Sequence, residues 1–419
     1  MFFFILLFIL SLTGVAQENT RLSLQQAYDL AQKNYPVIRQ KDLVRQTTAL
    51  TVENLQKNFL PQVTISGQAS YQSDVTSVPL TLPGLSIEPP SKDQYKLVAD
   101  VNQLIYDGGV TREQKKIQLQ AGEVEEQKTE VELYKLKERV NQLYLGVLYL
   151  DEQLKQAGLI KADISNGIKK VEAQVANGVS FRSSLNMLKA ELLKTDQRVT
   201  EIQSSRKGFT DALGLLLGQP LNANVVLEKP VAENRATAEI SRPEIKLFSA
   251  QTSLISAQEQ LINAKNQPKA SLFLQGGYGR PGLNMLKNEF DLYYITGIRL
   301  SWSLGSLYTK KREKEIASVN RKMVAVQQET FLLNTQTQLA QQAAEITKLE
   351  KLVATDEEII GLRVSVKEAA QAQLENGVIT ANDFLKEVNA EDQARQAKIT
   401  HQLQLLQARI NYNTLAGKQ

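Results

Sequence analysis

No cysteine occurs among the 419 residues, and there is only one histidine, His401. The first absence excludes disulfides, thiolate metal sites and cysteine nucleophiles. The second leaves little for metal binding or for imidazole acid–base chemistry. No paired acid–base set or nucleophile stands out, so an enzyme is the least supported class, and neither a cofactor nor a metal is expected. Aromatic residues are scarce, at 6%, which favours long helices over a compact catalytic core. Charge of one sign is lacking too: the net charge is +4 with both signs interleaved, so nothing points to a nucleic-acid surface.

Proline is missing between Pro90 and Pro220 and again after Pro281. An interior proline costs a helix about 3 kcal/mol, so these are the stretches where helices can run uninterrupted. Leu133, Leu136, Val140, Leu143, Val147, Leu150 and Leu154 step alternately by three and four. Ile316, Val319, Met323 and Val326 do the same, and Ile359, Leu362, Val366 and Ala369 resume it. Such heptad spacing predicts coiled-coil packing. The two helices read as Val110 to Ala176 and Thr309 to Glu375, 67 residues each, or roughly 100 Å at the helical rise.

What the chain does have, it has twice. Asn177-Gly178-Val179-Ser180 returns as Asn376-Gly377-Val378-Ile379-Thr380, with the glycines 199 residues apart. Gly218 and Gly417 repeat at the same offset, and Pro61 and Pro268 are 207 apart. That period is too long for a solenoid and reads as a duplicated half-protein. Asn-Gly closes each long helix in the left-handed conformation. Ser180 and Thr380 are then expected to cap the returning helices through their side-chain oxygens. The result is two very long helical hairpins.

Four segments alternate with period two: 62–71, 95–106, 270–278 and 292–302. In the first, Val63, Ile65, Gly67, Ala69 and Tyr71 share a face against Thr64, Ser66, Gln68 and Ser70. In the last, Leu292, Tyr294, Thr296, Ile298, Leu300 and Trp302 oppose Arg299 and Ser301. Arg299 is therefore a lumen-lining candidate if the sheet is curved into a barrel. Tyr71, Tyr95, Tyr278 and Tyr294 fall at one rim and Tyr106 and Trp302 at the other, as in the aromatic girdles of a membrane barrel. A soluble sheet with one buried face gives the same alternation. If the strands do sit in lipid, four cannot close a barrel, because closed barrels start at about eight strands. Several chains would then have to contribute staves. Gln72 to Gln94 and Arg280 to Asp291 would be the outer loops.

Residues 1–16 read as a secretory signal peptide: Phe2 to Leu10 is an unbroken apolar run, and Gly14 and Ala16 precede a cut at Gln17. No Lys or Arg precedes the run, and its length is short for a bilayer span. The mature chain divides into a first repeat (17–220), a linker (221–242) and a second repeat (243–419). Each repeat holds a helix, two strands and a hairpin, with tips near 177–180 and 376–380. The glycine cluster Gly276-Gly277-Tyr278-Gly279 opens no helix, so a phosphate site is not expected there. His401 lies on a glutamine-rich helix and reads as a solvated surface residue.

This duplicated order of helix, two strands and hairpin resembles the TolC-type outer-membrane efflux proteins. Leu22-Ser23-Leu24-Gln25-Gln26-Ala27-Tyr28-Asp29-Leu30-Ala31-Gln32-Lys33-Asn34-Tyr35-Pro36 is similar to that family's usual opening. The two Asn-Gly-Val turns resemble its periplasmic tips. The resemblance implies a mostly α protein with membrane β-structure. Its long coiled-coil hairpins would form a periplasmic α-barrel, and four strands per chain would join a homotrimeric twelve-stranded outer-membrane β-barrel. It implies a passive exit duct for efflux or type I secretion in the outer membrane, extending into the periplasm. The implied partners are outer-membrane lipid, a periplasmic adaptor (membrane fusion) protein and an inner-membrane pump of the RND or ABC kind. On the same resemblance Gly178, Val179, Ser180, Gly377, Val378 and Thr380 are adaptor contacts, although helix–turn–helix capping explains them equally. Asp383, six residues past Gly377, matches an acidic constriction ring, and Lys386 departs from a second acidic position. An early-turn aspartate favoured by the helix dipole is the plainer account of Asp383. A non-channel periplasmic coiled-coil scaffold, with soluble strands, remains the alternative.

Overall fold

The computed structural model describes residues 21–76, 89–222, 224–231 and 239–418. The segment read as a signal peptide, and Pro79 and Pro83 of the first outer loop, lie outside the described residues. In chain order the elements are β1 (Arg21–Leu22), α1 (Leu24–Asn34), α2 (Ile38–Gln56), β2 (Gln62–Tyr71), β3 (Asp93–Tyr106), α3 (Val110–Ala176), α4 (Arg182–Leu217), β4 (Val226–Leu227), α5 (Pro243–Lys265), β5 (Lys269–Arg280), β6 (Asp291–Ser301), α6 (Leu307–Glu375) and α7 (Ala381–Ala416). The proline-free stretches are thus helices of 67 and 69 residues, the second starting two residues before the position read from sequence. They form two compact units, each built from parts of both halves of the sequence.

One unit combines 39–131 with 243–332 and contains a four-stranded antiparallel sheet ordered β2-β3-β5-β6. The register sets Ile65 opposite Ala99, Ala99 opposite Gly276, and Gly276 opposite Tyr294. Because side chains alternate along a strand, this register lines up one face across all four strands. The strands extend slightly past the alternating runs, and Trp302 falls just after β6. β3 ends at Asp107-Gly108-Gly109, where both glycines are left-handed (φ 74° and 85°). The Asp107 carboxylate accepts from the backbone N–H of Gly109 (2.8 Å) and Thr111 (2.6 Å) and so caps α3. A side chain on Gly108 would strike Gln267 and the carbonyl of Ala264, so this turn requires glycine.

The other unit combines residues up to Ile38 with 132–242 and 333–419. Its main core holds Leu136, Val140, Tyr144 and Val147 of α3, Leu213 and Leu217 of α4, and Ala27 and Ala31 of α1. Burying each large apolar side chain there contributes about 1.5–3 kcal/mol. The heptad stripe read from α3 is therefore the one that packs. A detail with no sequence signal is the two-stranded parallel pair β1–β4. The fully buried Tyr144 places its hydroxyl 2.6 and 2.7 Å from the carbonyl oxygens of Leu22 and Glu228. Burial pushes the Tyr144 phenol up, keeping it a proton donor to that pair.

The stripe read from α6 behaves differently. Ile316, Val319, Met323 and Val326 are exposed within one unit, and Ile359, Leu362 and Val366 within the other. Inside the chain α6 packs with another row of positions, among them Thr335, Ile346, Leu349, Asp356, Ile360, Ala370 and Leu374, all buried. That row also repeats at coiled-coil spacing but is interrupted by polar residues, which hid it behind the more apolar exposed stripe.

Helices α4 and α7 end identically. Gly218 (φ 72°) and Gly417 (φ 81°) close them in the left-handed conformation, each N–H bonding back to the last turn. A Cβ on Gly218 would sit 2.6 Å from Asn34, and one on Gly417 would sit 2.5 Å from the backbone of Ser241. Gly218→Ala and Gly417→Ala should each lower stability by about 1–2 kcal/mol from the left-handed backbone alone, with the crowding adding to it. Thermal melts of the purified protein read this as a fall in Tm for both variants.

Candidate functional site

Two regions carry the features singled out from the sequence, and each is described within its own unit. In the sheet, the shared face bearing Val63, Ile65, Leu97, Leu272, Leu274, Leu292, Ile298 and Leu300 is exposed, with Ile298 71% and Leu300 77% accessible. The opposite face carries Gln62, Thr64, Ser66 and Gln68 of β2, Asp100 of β3, Gln275 of β5 and Arg299 of β6. Gln275 Nε2 donates to the Asp100 carboxylate at 2.7 Å on that face. A sheet that is apolar on its exposed face and hydrogen-bonded on its polar face suits a lipid exterior and an aqueous interior. It also disfavours the soluble-sheet alternative, because no layer covers the apolar side among the described residues.

Arg299 sits on the polar face, its guanidinium 4.9 Å from the centre of the Phe273 ring. Gly297 leaves space for that ring: a Cβ there would meet it at 3.0 Å. This cation–π contact gives the Arg299 guanidinium a partner on the neighbouring strand. Below the strands, Trp302 Nε1 donates to the carbonyl of Asn266 (3.1 Å), and Ser306 Oγ bonds the Asn266 side chain (2.9 Å).

The tips lie in the other unit. Gly178 (φ 70°) and Gly377 (φ 66°) both occupy the left-handed region. In each turn the following valine N–H returns to the helix, Val179 to the carbonyl of Gln174 and Val378 to that of Gln373, both at 2.8 Å. The turns are adjacent: Gln174 Nε2 donates to the carbonyl of Leu374 (2.8 Å). Beneath them Ile164, Val171, Leu188, Leu374, Phe384 and Val388 form a core shared by α3, α4, α6 and α7.

The capping expected of both returning helices occurs only once. Thr380 Oγ1 accepts from the Asp383 N–H (3.2 Å) and the Asp383 carboxylate reaches back, making a capping box. At the first tip the cap position is Phe181, with no side-chain cap, and Ser180 makes no such bond. The reason is register. At the 199-residue offset Thr380 corresponds to Phe181, whereas Ser180 corresponds to Ile379. Phe181 is 81% exposed, and the tip residues Val179 and Val378 are 68% and 70% exposed. Reading only the Asn-Gly-Val string missed Phe181, and the glycine offset was the signal that finds it.

Asp383 is engaged at the N-terminus of α7. The hydrogen bond from the Thr380 hydroxyl (2.7 Å), then the Lys386 ammonium (3.3 Å), hold its carboxyl below the usual range. Further along α6 two charged residues occupy the packed row. Lys367 bridges Asp163 of α3 (2.9 Å) and Glu391 of α7 (2.7 Å), and Glu391 also accepts from Arg395 (2.6 Å). Burial alone would lower the Lys367 pKa, but the hydrogen bonds it donates to Glu391 and Asp163 outweigh it and hold the ammonium above its ordinary value. Burial likewise opposes ionisation of Glu391, and Lys367 with Arg395 brings its carboxyl down regardless. His401, expected to be solvated, instead lies 2.6 Å from the buried Asp356 carboxylate of α6. Its glutamine-rich neighbours concealed a seam position.

Residues 27–219 match the family model described as outer membrane efflux protein. No curated protein sequence matches the chain. Among solved structures the chain is similar to the outer membrane protein VceC from Vibrio cholerae, with 15% identity, TM-score 0.67, and 94% of this chain and 96% of that one covered. It is also similar to the Campylobacter jejuni CmeC outer membrane channel (14%, TM-score 0.64, 96% and 86% covered). The Neisseria gonorrhoeae MtrE outer membrane channel is similar as well (16%, TM-score 0.66, 94% and 89% covered). At these identities the structures establish the fold, and the family match spans residues 27–219, just under half of the chain.

The capping asymmetry is testable. Thr380→Ala should cost about 1 kcal/mol and speed hydrogen exchange in the first turn of α7. Ser180→Ala should leave exchange in the first turn of α4 unchanged.

Proposed function

We infer, from the outer membrane efflux protein match over residues 27–219 and the channel fold over nearly the whole chain, that this protein is a subunit of an outer-membrane exit duct. It is a passive conduit, not an enzyme, and it spans the outer membrane through its strands. The observation that carries the reading is the four-stranded sheet with an exposed apolar face, a polar face and two open edges. In lipid each unpaired backbone group costs several kcal/mol, so β2 and β6 need partners from other copies. Three copies supply twelve strands, and the exposed stripes of α6 supply a further surface for the same neighbours. Substrates move from a pump assembly to the exterior through the lumen without chemistry in this subunit.

The finer assignments rest on the same reading. Val179, Phe181 and Val378 make an exposed apolar cluster at the tips, supporting contact with a periplasmic adaptor protein, and Gly178, Ser180, Gly377 and Thr380 shape the turns beneath it. An inner-membrane pump of the RND or ABC kind would lie beyond the adaptor. Asp383, repeated three times about a symmetry axis, would favour cations at the constriction, with Lys386 offsetting part of that charge. Arg299 would line the lumen of the barrel.

Detergent-extracted protein should run as a trimer-sized species and give discrete conductance steps in planar bilayers; a soluble monomer without conductance would leave the periplasmic scaffold as the better reading. In the same bilayers Lys386→Gln should raise cation selectivity and Asp383→Asn lower it, and unchanged selectivity in both would reject the acidic ring. Gly178→Phe combined with Gly377→Phe should abolish transport in cells while membrane insertion persists. Surviving transport would remove the tips as the docking surface.

A further inference from the structure

The loop between β5 and β6 carries an exposed apolar cluster that neither the barrel nor the tips explain. Leu283, Met285, Leu286 and Phe290 are 58%, 55%, 49% and 47% exposed. A loop ending in open water has no use for four large apolar side chains, each worth about 1.5–3 kcal/mol if buried.

The loop is also built to hold one position. Asn284 organises its tip, accepting from the N–H of Leu286 on its side chain and of Lys287 on its carbonyl, both at 3.1 Å. Asn288 pins it to the strand β3 approach, its Oδ1 accepting from the Ser91 N–H (2.9 Å) and its Nδ2 donating to Ser91 Oγ (3.0 Å). Phe290 stacks on Tyr278 (5.4 Å between centres, 23°) and on Tyr95 (6.4 Å, 29°). The Arg280 guanidinium, paired with Asp93, lies 5.6 Å from the Tyr95 ring and 5.5 Å from that of Phe290.

The decisive point is which face those tyrosines occupy. Tyr95 opposes Arg280, and Leu97 opposes Tyr278, so both rings belong to the exposed apolar face and not to the polar one. Both also lie on the central strands β3 and β5, away from the edges where a neighbouring copy would join. The loop therefore folds down onto the lipid side of the rim, continuous with the apolar face, rather than over the polar interior.

We propose that the Pro281–Phe290 loop is an interfacial anchor, inserting Leu283, Met285 and Leu286 into the acyl–headgroup boundary of the outer leaflet. Its charges suit that depth: the Arg280–Asp93 and Lys287–Glu289 pairs flank the apolar tip and stay at headgroup level, as in other interfacial segments. The proposal rests on the outer-membrane duct reading.

The absence of cysteine makes single-cysteine spin labelling direct. Full-length protein carrying Leu286→Cys is labelled with a nitroxide and reconstituted in vesicles containing lipopolysaccharide, alongside Ile298→Cys on the apolar face and Gln68→Cys on the polar face. The expected result is that oxygen collides with the label at 286 several-fold more than a water-soluble nickel chelate does, as at 298 and opposite to 68. Adding Phe290→Ala should release the loop and shift the 286 label towards the chelate. Label 286 favouring the chelate while 298 favours oxygen would overturn the anchor and leave the barrel standing. Label 286 shielded from both reagents would mean a protein cover, and would overturn it equally. Label 298 favouring the chelate would overturn the duct reading itself, and the anchor with it.

Discussion

The unpaired edges of the four-stranded sheet set the terms for everything else in this chain. β2 and β6 each expose a row of backbone donors and acceptors, and the sheet between them presents an apolar face to its surroundings. In water such a sheet would aggregate; in lipid it would be intolerable alone, because nothing in the bilayer can satisfy those groups. Only closure with further strands resolves both problems. On the proposed duct reading, the chain is a part shaped for strands from neighbouring copies.

The helices carry the same incompleteness. In α3 the apolar stripe is consumed inside the chain, where Val140 and Val147 are fully buried. In α6 the most apolar stripe is left outside, and the intrachain seam is assigned to a row that includes Asp356 and Lys367. Each of these charges finds a partner across the seam, His401 for the first and Asp163 with Glu391 for the second. A lost partner would strand a buried charge, an outcome costing several kcal/mol. The polar contacts therefore favour one register of α6 against its neighbours, while the apolar stripe stays exposed.

The two hairpins match in the backbone of their turns and differ in chemistry. Both tips close on a left-handed glycine with the same returning hydrogen bond, and both hairpins end on a left-handed glycine at α4 and α7. Yet one returning helix starts from a threonine capping box and the other from a solvent-facing phenylalanine. One strand-to-helix turn is Asp107-Gly108-Gly109 and the other is built around Asn266, Trp302 and Ser306. The shared backbone needs glycine where φ is positive, whereas the capping positions admit different solutions, Phe181 at one and Thr380 at the other.

Much of this was legible in the sequence, because the deciding forces are local and periodic. Proline-free stretches with apolar residues every three or four positions specify long helices, alternation at 62–71 and 292–302 specifies strands with one greasy side, and Asn-Gly specifies the turns. What the sequence could not decide was which of two competing stripes on α6 meets its own chain. Nor could it show that His401 is held by Asp356, that Arg299 lies on Phe273, or that the loop after β5 bends towards the apolar rim. Each of those depends on residues far apart in the chain, Arg280 with Asp93 or Lys367 with Asp163, meeting only after the strands have taken their register and the helices their seam. Periodicity assigns a side chain to a face; only the tertiary structure decides what that face is pressed against.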